Sequence, residues 1–478
     1  MLPLTAVLLV SACSDRDERL VRVSLIGDPP GAASRRAMPA EVRSATAEGL
    51  VGFDEEGRVV PALADRWIVT EDGQSYIFRL RNGTWPGGQP ITGESAAGLL
   101  RQALRTLRGT PLALDLAAVD EVRGMAARVV EIRLSSPLPD LLALLAQPEL
   151  GLTRKGMGSG PMKRDQQGTV AELAPIPPEK LGLPVEEGWH DRVRVVRLRR
   201  ETAKEAVSRF DEGYADVVLG GRADTLPLVK TAGISRGTVR LDPVIGLFGL
   251  QFERAFGFFA TTENREALAL AIDREALLAP FKVARWTPTT RLVAPDAADA
   301  PPGVGERWAG FSLIERRQVA AARIARWQAD AGALAPLRIA LPATPGGTLL
   351  YNGLRGDFAA VGLAVRRVGP DEPADLRLID QVARYGRATW FLNQLSCGAG
   401  RPVCSKEADA LLARARDTVD PAERAALLAE AENRITAANG FIPFAPPLRW
   451  SLVRADIAGF VANPWAVHPL LPLALATR

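Results

Sequence analysis

The stretch from Glu48 to Ser95, EGLVGFDEEGRVVPALADRWIVTEDGQSYIFRLRNGTWPGGQPITGES, decides how the rest of the chain is read. Glu56-Gly57, Asp72-Gly73 and Asn82-Gly83 are turn-forming pairs, because glycine enters positive φ without a steric penalty. Between two of these turns, Tyr76, Phe78 and Leu80 fall on one face of a strand. The stretch therefore predicts a meander of short strands. Thr92 and Glu94 then open a helix running through Leu99, Leu100 and Leu104. Trp85, inside NGTWPGG, is expected to pack this small unit.

On the N-terminal side, RLVRVSLIGDPPG alternates Val21, Val23 and Leu25 with Arg22 and Ser24, a half-buried strand stopped by Gly27-Asp28-Pro29-Pro30. A strand that feeds a polar turn can line a cleft, which makes Asp28 a candidate binding residue; a plain turn aspartate is the alternative. Further upstream, MLPLTAVLLVSAC is an apolar run of signal-peptide length, and Val10, Ser11, Ala12 and Cys13 resemble a bacterial lipobox. Residues 1–13 are thus expected to be a lipoprotein leader, with Cys13 lipidated and the protein held at a membrane face. A buried N-terminal strand with a chance cysteine is the alternative.

On the C-terminal side, GLTRKGMGSGPMK (151–163) is glycine-rich but lacks the Gly-Lys-Ser/Thr ending of a phosphate loop, and it reads as a crossing segment. RVRVVRLRRETAKEAVSRFDEGYADVVLGG reads as strand, helix, strand. Leu268, Ala271 and Ile272 mark an amphipathic helix expected to end at Pro280. DPAERAALLAEAENRITAANG is a helix capped by Asp420, with Pro421 in its first turn, Glu423 completing a capping pair and Asn439-Gly440 ending it. The alternation of strands and helices points to α/β lobes.

Composition narrows the function. The chain has 478 residues, 47% hydrophobic and 24% charged, enough for two or more lobes. Its net charge of +4 is spread along the sequence, which argues against nucleic acid as a partner. With only 2 histidines, His190 and His468, and none of the common nucleophile or metal motifs, the sequence offers little to an enzyme. A hydrolase built from distant residues would have to use one of those two. No cofactor or metal site is expected. Cys397 and Cys404 flank GAGRPV, a spacing that suits a local disulfide in an exported protein, with free buried thiols as the alternative.

The order of these segments resembles that of the bacterial family 5 extracytoplasmic solute-binding proteins, the peptide, nickel and opine receptors of ABC importers. Residues 48–67 and 72–95 are the most specific match; GSGPM (158–162), NREALALAIDREAL (264–277) and 405–444 follow in the family's order. The resemblance implies a bilobed α/β fold like that of the periplasmic binding proteins (type II, cluster C). It assigns 20–50, 155–243 and 447–478 to lobe I, 51–154 to an extra small domain inserted in lobe I, and 244–446 to lobe II. It implies a peptide or other small-molecule solute held between the lobes, ABC permease subunits as partners, a monomer, and no chemistry on the solute.

In the peptide-binding branch, the segment similar to ARYGRATWFLNQL (383–395) carries an aspartate that pairs with the ammonium of the bound peptide. Arg384 stands at the matching position, while Tyr385, Phe391, Leu392 and Asn393 keep the pattern and Arg387 replaces a usually acidic position. Two like charges ~4 Å apart repel by about 4 kcal/mol at an effective dielectric near 20, so an ammonium in that orientation is disfavoured. The expectation is an anion clamp of Arg384 and Arg387, with Trp390 as apolar wall or cation-π partner and Tyr385 beside it. A salt bridge from Arg384 across the hinge is the alternative. Phe252, in a strand near the hinge, is a further candidate wall residue, with core packing as its default.

Overall fold

The computed structural model describes residues 19–27, 38–229 and 237–475. Cys13, the leader and Asp28 lie outside the described residues.

Three sheets carry the architecture. The first, with 7 strands, takes them in the spatial order 162–167, 170–175, 195–201, 20–26, 217–222, 449–453, 239–241. Strand Leu20–Ile26 pairs parallel to Val195–Glu201, with Val21 opposite Val196 and Val23 opposite Leu198. Val21, Val23 and Leu25 are buried, as their alternation predicts. The second sheet has 5 strands, in the order 365–368, 337–340, 376–382, 246–252, 441–445. The third has 4 antiparallel strands in the order 64–69, 75–80, 129–134, 119–126; it departs from the expected meander because helix Gly93–Thr106 intervenes and the last two strands join it in reversed order. Gly73 turns its first hairpin at φ +68°, and Gly57 at φ +80° turns a separate two-stranded hairpin of 51–53 and 59–61. The chain crosses between the first and second sheets twice, at 242–245 and at 446–448.

Local chemistry sets the helices with two departures from expectation. Helix Gly93–Thr106 begins at Thr92, but its capping box closes on Ser95: the Ser95 amide donates to Thr92 Oγ1, and Ser95 Oγ accepts from the Thr92 amide. That hydroxyl also accepts the Trp85 indole N–H at 2.9 Å, so the tryptophan of the turn is fully buried against the helix start. The apolar stretch from 262 does not run on to Pro280. It breaks after Ala271 because Asp273 caps a second helix, Arg274–Leu278, and Pro280 falls in the 3₁₀ turn that follows. Helix Pro421–Ala438 starts at Asp420 and ends on Asn439 at φ +50°. Cys397 and Cys404 are joined in a disulfide around a short 3₁₀ turn.

Glycines of the 151–163 segment allow a close crossing. A Cβ on Gly158 would lie 2.4 Å from Ala47 Cα, and one on Gly160 2.4 Å from the Thr46 carbonyl carbon. Two apolar clusters cross unit boundaries. The core of the small unit runs on into helices Ala388–Gln394, Lys406–Asp417 and Pro421–Ala438 of lobe II. A second cluster joins lobe I residues such as Phe210 and Trp450 to Phe248 and Phe444 of lobe II.

Candidate functional site: the seam between the small unit and lobe II

Strand Leu376–Val382 pairs with Gly246–Phe252 up to its last residue, and the chain then turns through 383–387 into helix Ala388–Gln394. Backbone bonds fix this loop from three sides. The Ala383 amide donates to the Ile245 carbonyl, the Gly386 carbonyl accepts from Ala298, and the Ala388 amide donates to Asp299 Oδ1 at 2.7 Å. The helix after it buries Trp390, Phe391 and Leu392 almost completely. A rigid loop on an anchored helix aims its side chains at the small unit.

Four groups of the small unit meet them. Arg384 forks onto Glu149, Nη2 to Oε1 at 2.8 Å and Nη1 to Oε2 at 3.0 Å, and also donates to Gln147 Oε1 at 3.1 Å. Gln147 returns a bond to the Arg384 carbonyl at 3.3 Å. Arg387 pairs with Asp140 at 2.5 Å and lies 3.7 Å from Asp299. Tyr385 Oη and Asn393 Nδ2 both donate to Asp115 Oδ1 at 2.9 Å.

The electrostatics are uneven. Burial pushes the Asp115 carboxyl up to about 6, against the pull of its bonds to Asn393 and Tyr385 and of the Arg384 charge. Burial raises Tyr385 well above its ordinary value, reinforced by the nearby Asp115 charge. Burial also raises Asp140, with Arg387 pulling the other way. At Glu149 burial is outweighed by the hydrogen bonds and charge of Arg384, and the carboxyl lies below its ordinary value. Among the described residues, Asp115 Oδ2, Trp390 Nε1 and Ser136 Oγ are buried with no hydrogen-bond partner.

The two arginines singled out from the sequence thus sit side by side on one loop, and each is held by a carboxylate of the chain itself. That arrangement corresponds to the salt-bridge alternative for Arg384, with the small unit supplying the partner. Two expectations need correction. Trp390, 2% exposed, packs edge-on to Phe391 at 5.0 Å inside the core and makes no cation-π contact with Arg384 or Arg387. Phe252 is wholly buried against Phe259 at 5.8 Å. Both rings stabilise lobe II because apolar area of that size is retained inside rather than at a wet wall. The residues that sequence reading missed are Asp115, Asp140, Gln147 and Glu149. Their signal was present: each is a lone polar residue in an apolar run, LALDLAA or PDLLALLAQPEL.

No family model matches the chain. The chain is 26% identical over 475 residues to the probable deoxycholate-binding periplasmic protein YgiS of Escherichia coli, covering 86% of this chain and 84% of that protein. It is 22% identical over 485 residues to the periplasmic oligopeptide-binding protein OppA of the same organism, covering 87% and 84%. Its fold matches the structure of the Escherichia coli murein tripeptide binding protein MppA with a TM-score of 0.82 at 17% identity, over 97% of this chain and 99% of that one. Its relatives are periplasmic binding proteins, and its fold is the bilobed fold of the structures it matches. The unliganded open form of MppA matches with a TM-score of only 0.63.

Proposed function

We propose that this protein is the solute receptor of an ABC importer, a lipoprotein anchored through Cys13 that captures a peptide-like or other small solute between its lobes and hands it, as a monomer, to membrane permease subunits. The carrying observation is the seam. Lobe II meets the small unit across a shared apolar core edged by polar, non-covalent pairs on a rigid loop, and the partly exposed pairs can exchange partners without unfolding either unit. The similarity to periplasmic binding proteins along the whole chain supports the same reading.

Arg384 gives the solute its chemistry. Glu149 offers this guanidinium two oxygens in the fork geometry that a solute carboxylate, phosphate or sulfonate would offer. An anionic solute group takes the place of Glu149, exchanging one carboxylate for another, while a solute ammonium meets a cation. Arg387, held by Asp140 and Asp299, supports the loop. Asp28, at the end of the first strand, remains a candidate contact.

Thermal-shift titration of the purified protein with anionic, neutral and cationic peptide-like solutes tests this. A saturating solute at about 100 times its Kd stabilises by roughly 2.7 kcal/mol. Arg384→Ala should abolish the response to anions and leave that to neutral solutes; an unchanged anion response removes the clamp. A second reading, a receptor-like scaffold without transport, is favoured by the fact that the protein's own groups already satisfy Arg384 and Arg387. Absence of any stabilising solute, together with no small molecule in native mass spectra of fresh protein, would select it.

A further inference from the structure

Away from the seam, where the small unit meets lobe I, lies a cavity of about 590 Å³. That volume is within the ~300–1,000 Å³ typical of small-ligand sites. Its walls are the 83–91 turn, the 156–164 crossing and the turn ending at Leu181. The glycine contacts of Gly158 and Gly160 with 46–47 set one wall against helix Ala40–Thr46.

The lining divides into two kinds of surface. Ile91, Met157, Met162 and Leu181 present an apolar wall, two of them methionines that adapt to irregular shapes. Four cations, Arg81, Lys163, Arg164 and Lys180, line it as well, and no carboxylate is among the lining residues. Lys163, Arg164 and Lys180 are exposed, at the mouth. Arg81 is 4% exposed and gives one terminal nitrogen to Glu48, but its Nε has no partner among the described residues. Ser159, 9% exposed, has an unpartnered Oγ in the same lining.

We propose that this cavity binds a small soluble amphiphile, an apolar body with one anionic head, at a site separate from the interlobe seam. The apolar wall takes the body; the three cations at the mouth, Lys163, Arg164 and Lys180, take the head. The site stands whether or not the seam admits a solute.

Calorimetric titration of the whole protein with sodium octanoate, 1-octanol and inorganic phosphate tests the two halves of the claim separately. Octanoate should bind at one site, at least tenfold more tightly than either of the others. The combined variant Lys163→Ser, Arg164→Ser, Lys180→Ser, all at exposed positions, should weaken octanoate at least tenfold, as should Met157→Asp. Arg384→Ala should leave it unchanged. Octanol binding as tightly would show the cations idle, and phosphate binding as tightly would show the apolar wall idle; either overturns the proposal. So does octanoate binding that ignores the variants, or binding to phosphatidylglycerol vesicles without any binding of octanoate.

Discussion

Lobe II touches the rest of the molecule in two ways, and the contrast separates a continuous joint from a seam edged by charge. Toward lobe I the contact is covalent and mostly dry. Two chain crossings are tied by the Asp242 amide donating to the Arg449 carbonyl, and the Trp450 ring, 1% exposed, shares an apolar cluster with Phe248 and Phe444 of lobe II. A Cβ on Gly221 would lie 2.1 Å from the Trp450 ring, so ring and backbone are in direct contact. One half-buried ion pair, Arg449 with Asp380 at 2.7 Å, spans the same joint. Toward the small unit the two share an apolar core as well, but its edge is lined by charged pairs, partly exposed at Arg384–Glu149 and Arg387–Asp140 and buried at Asp115, with carboxyls shifted in opposite directions. A dry joint resists separation, because apolar surface gains nothing from water. The partly exposed pairs along the edge of the seam exchange their partners for water or solute at little net cost.

The comparison breaks most visibly at the joint. Trp450→Ala should lower the unfolding free energy by about 3–5 kcal/mol through lost burial and the cavity left behind. Denaturant unfolding measures it, and a loss below ~1 kcal/mol would mean the joint is not the rigid side.

The next effect lies at Asp115. Its carboxyl is raised to about 6, so the stability it contributes is fully present below its ordinary value and is lost as pH rises through about 6. Asp115→Asn keeps an acceptor for Tyr385 and Asn393 but no longer titrates. The stability of the native protein relative to this variant should therefore fall between about pH 4 and 7, by on the order of 3 kcal/mol at most. A pH-independent difference between the two would place Asp115 outside the titration.

Tyr385→Phe removes one of the two donors to Asp115 Oδ1. A loss of about 1–2 kcal/mol in thermal unfolding is expected, larger at pH 7 than at pH 4.5, because the charged carboxylate depends most on its donors.

The smallest effect belongs to Glu149, where the sign reverses. Its lowered carboxyl contributes stability above the ordinary value and loses it as pH falls through the lowered one. Glu149→Gln should cost about 0.2–1 kcal/mol at pH 7, fading in acid, since the pair is partly solvated. In X-ray scattering this variant combined with Asp140→Asn should increase the radius of gyration while leaving the circular dichroism unchanged, which separates opening of the seam from unfolding.

Much of this protein followed from sequence alone because its causes are local. The turns at Gly57 and Gly73, the cap at Asp420, the buried face of Val21, Val23 and Leu25, and the close spacing of Cys397 and Cys404 need only neighbouring residues to be specified. Asp273 restarting a helix was also written locally, but it was outweighed by an apolar periodicity that continues across it. The partners of Arg384 and Arg387 were not available from the chain in one dimension: Glu149 and Asp140 lie more than two hundred positions away, and only the packing of the small unit onto lobe II brings their charges together. Burial decided the rest. Trp390 and Phe252 carry the same apolar rings whether they line a groove or fill a core, and the difference lies in how much of each ring the surrounding elements withdraw from water.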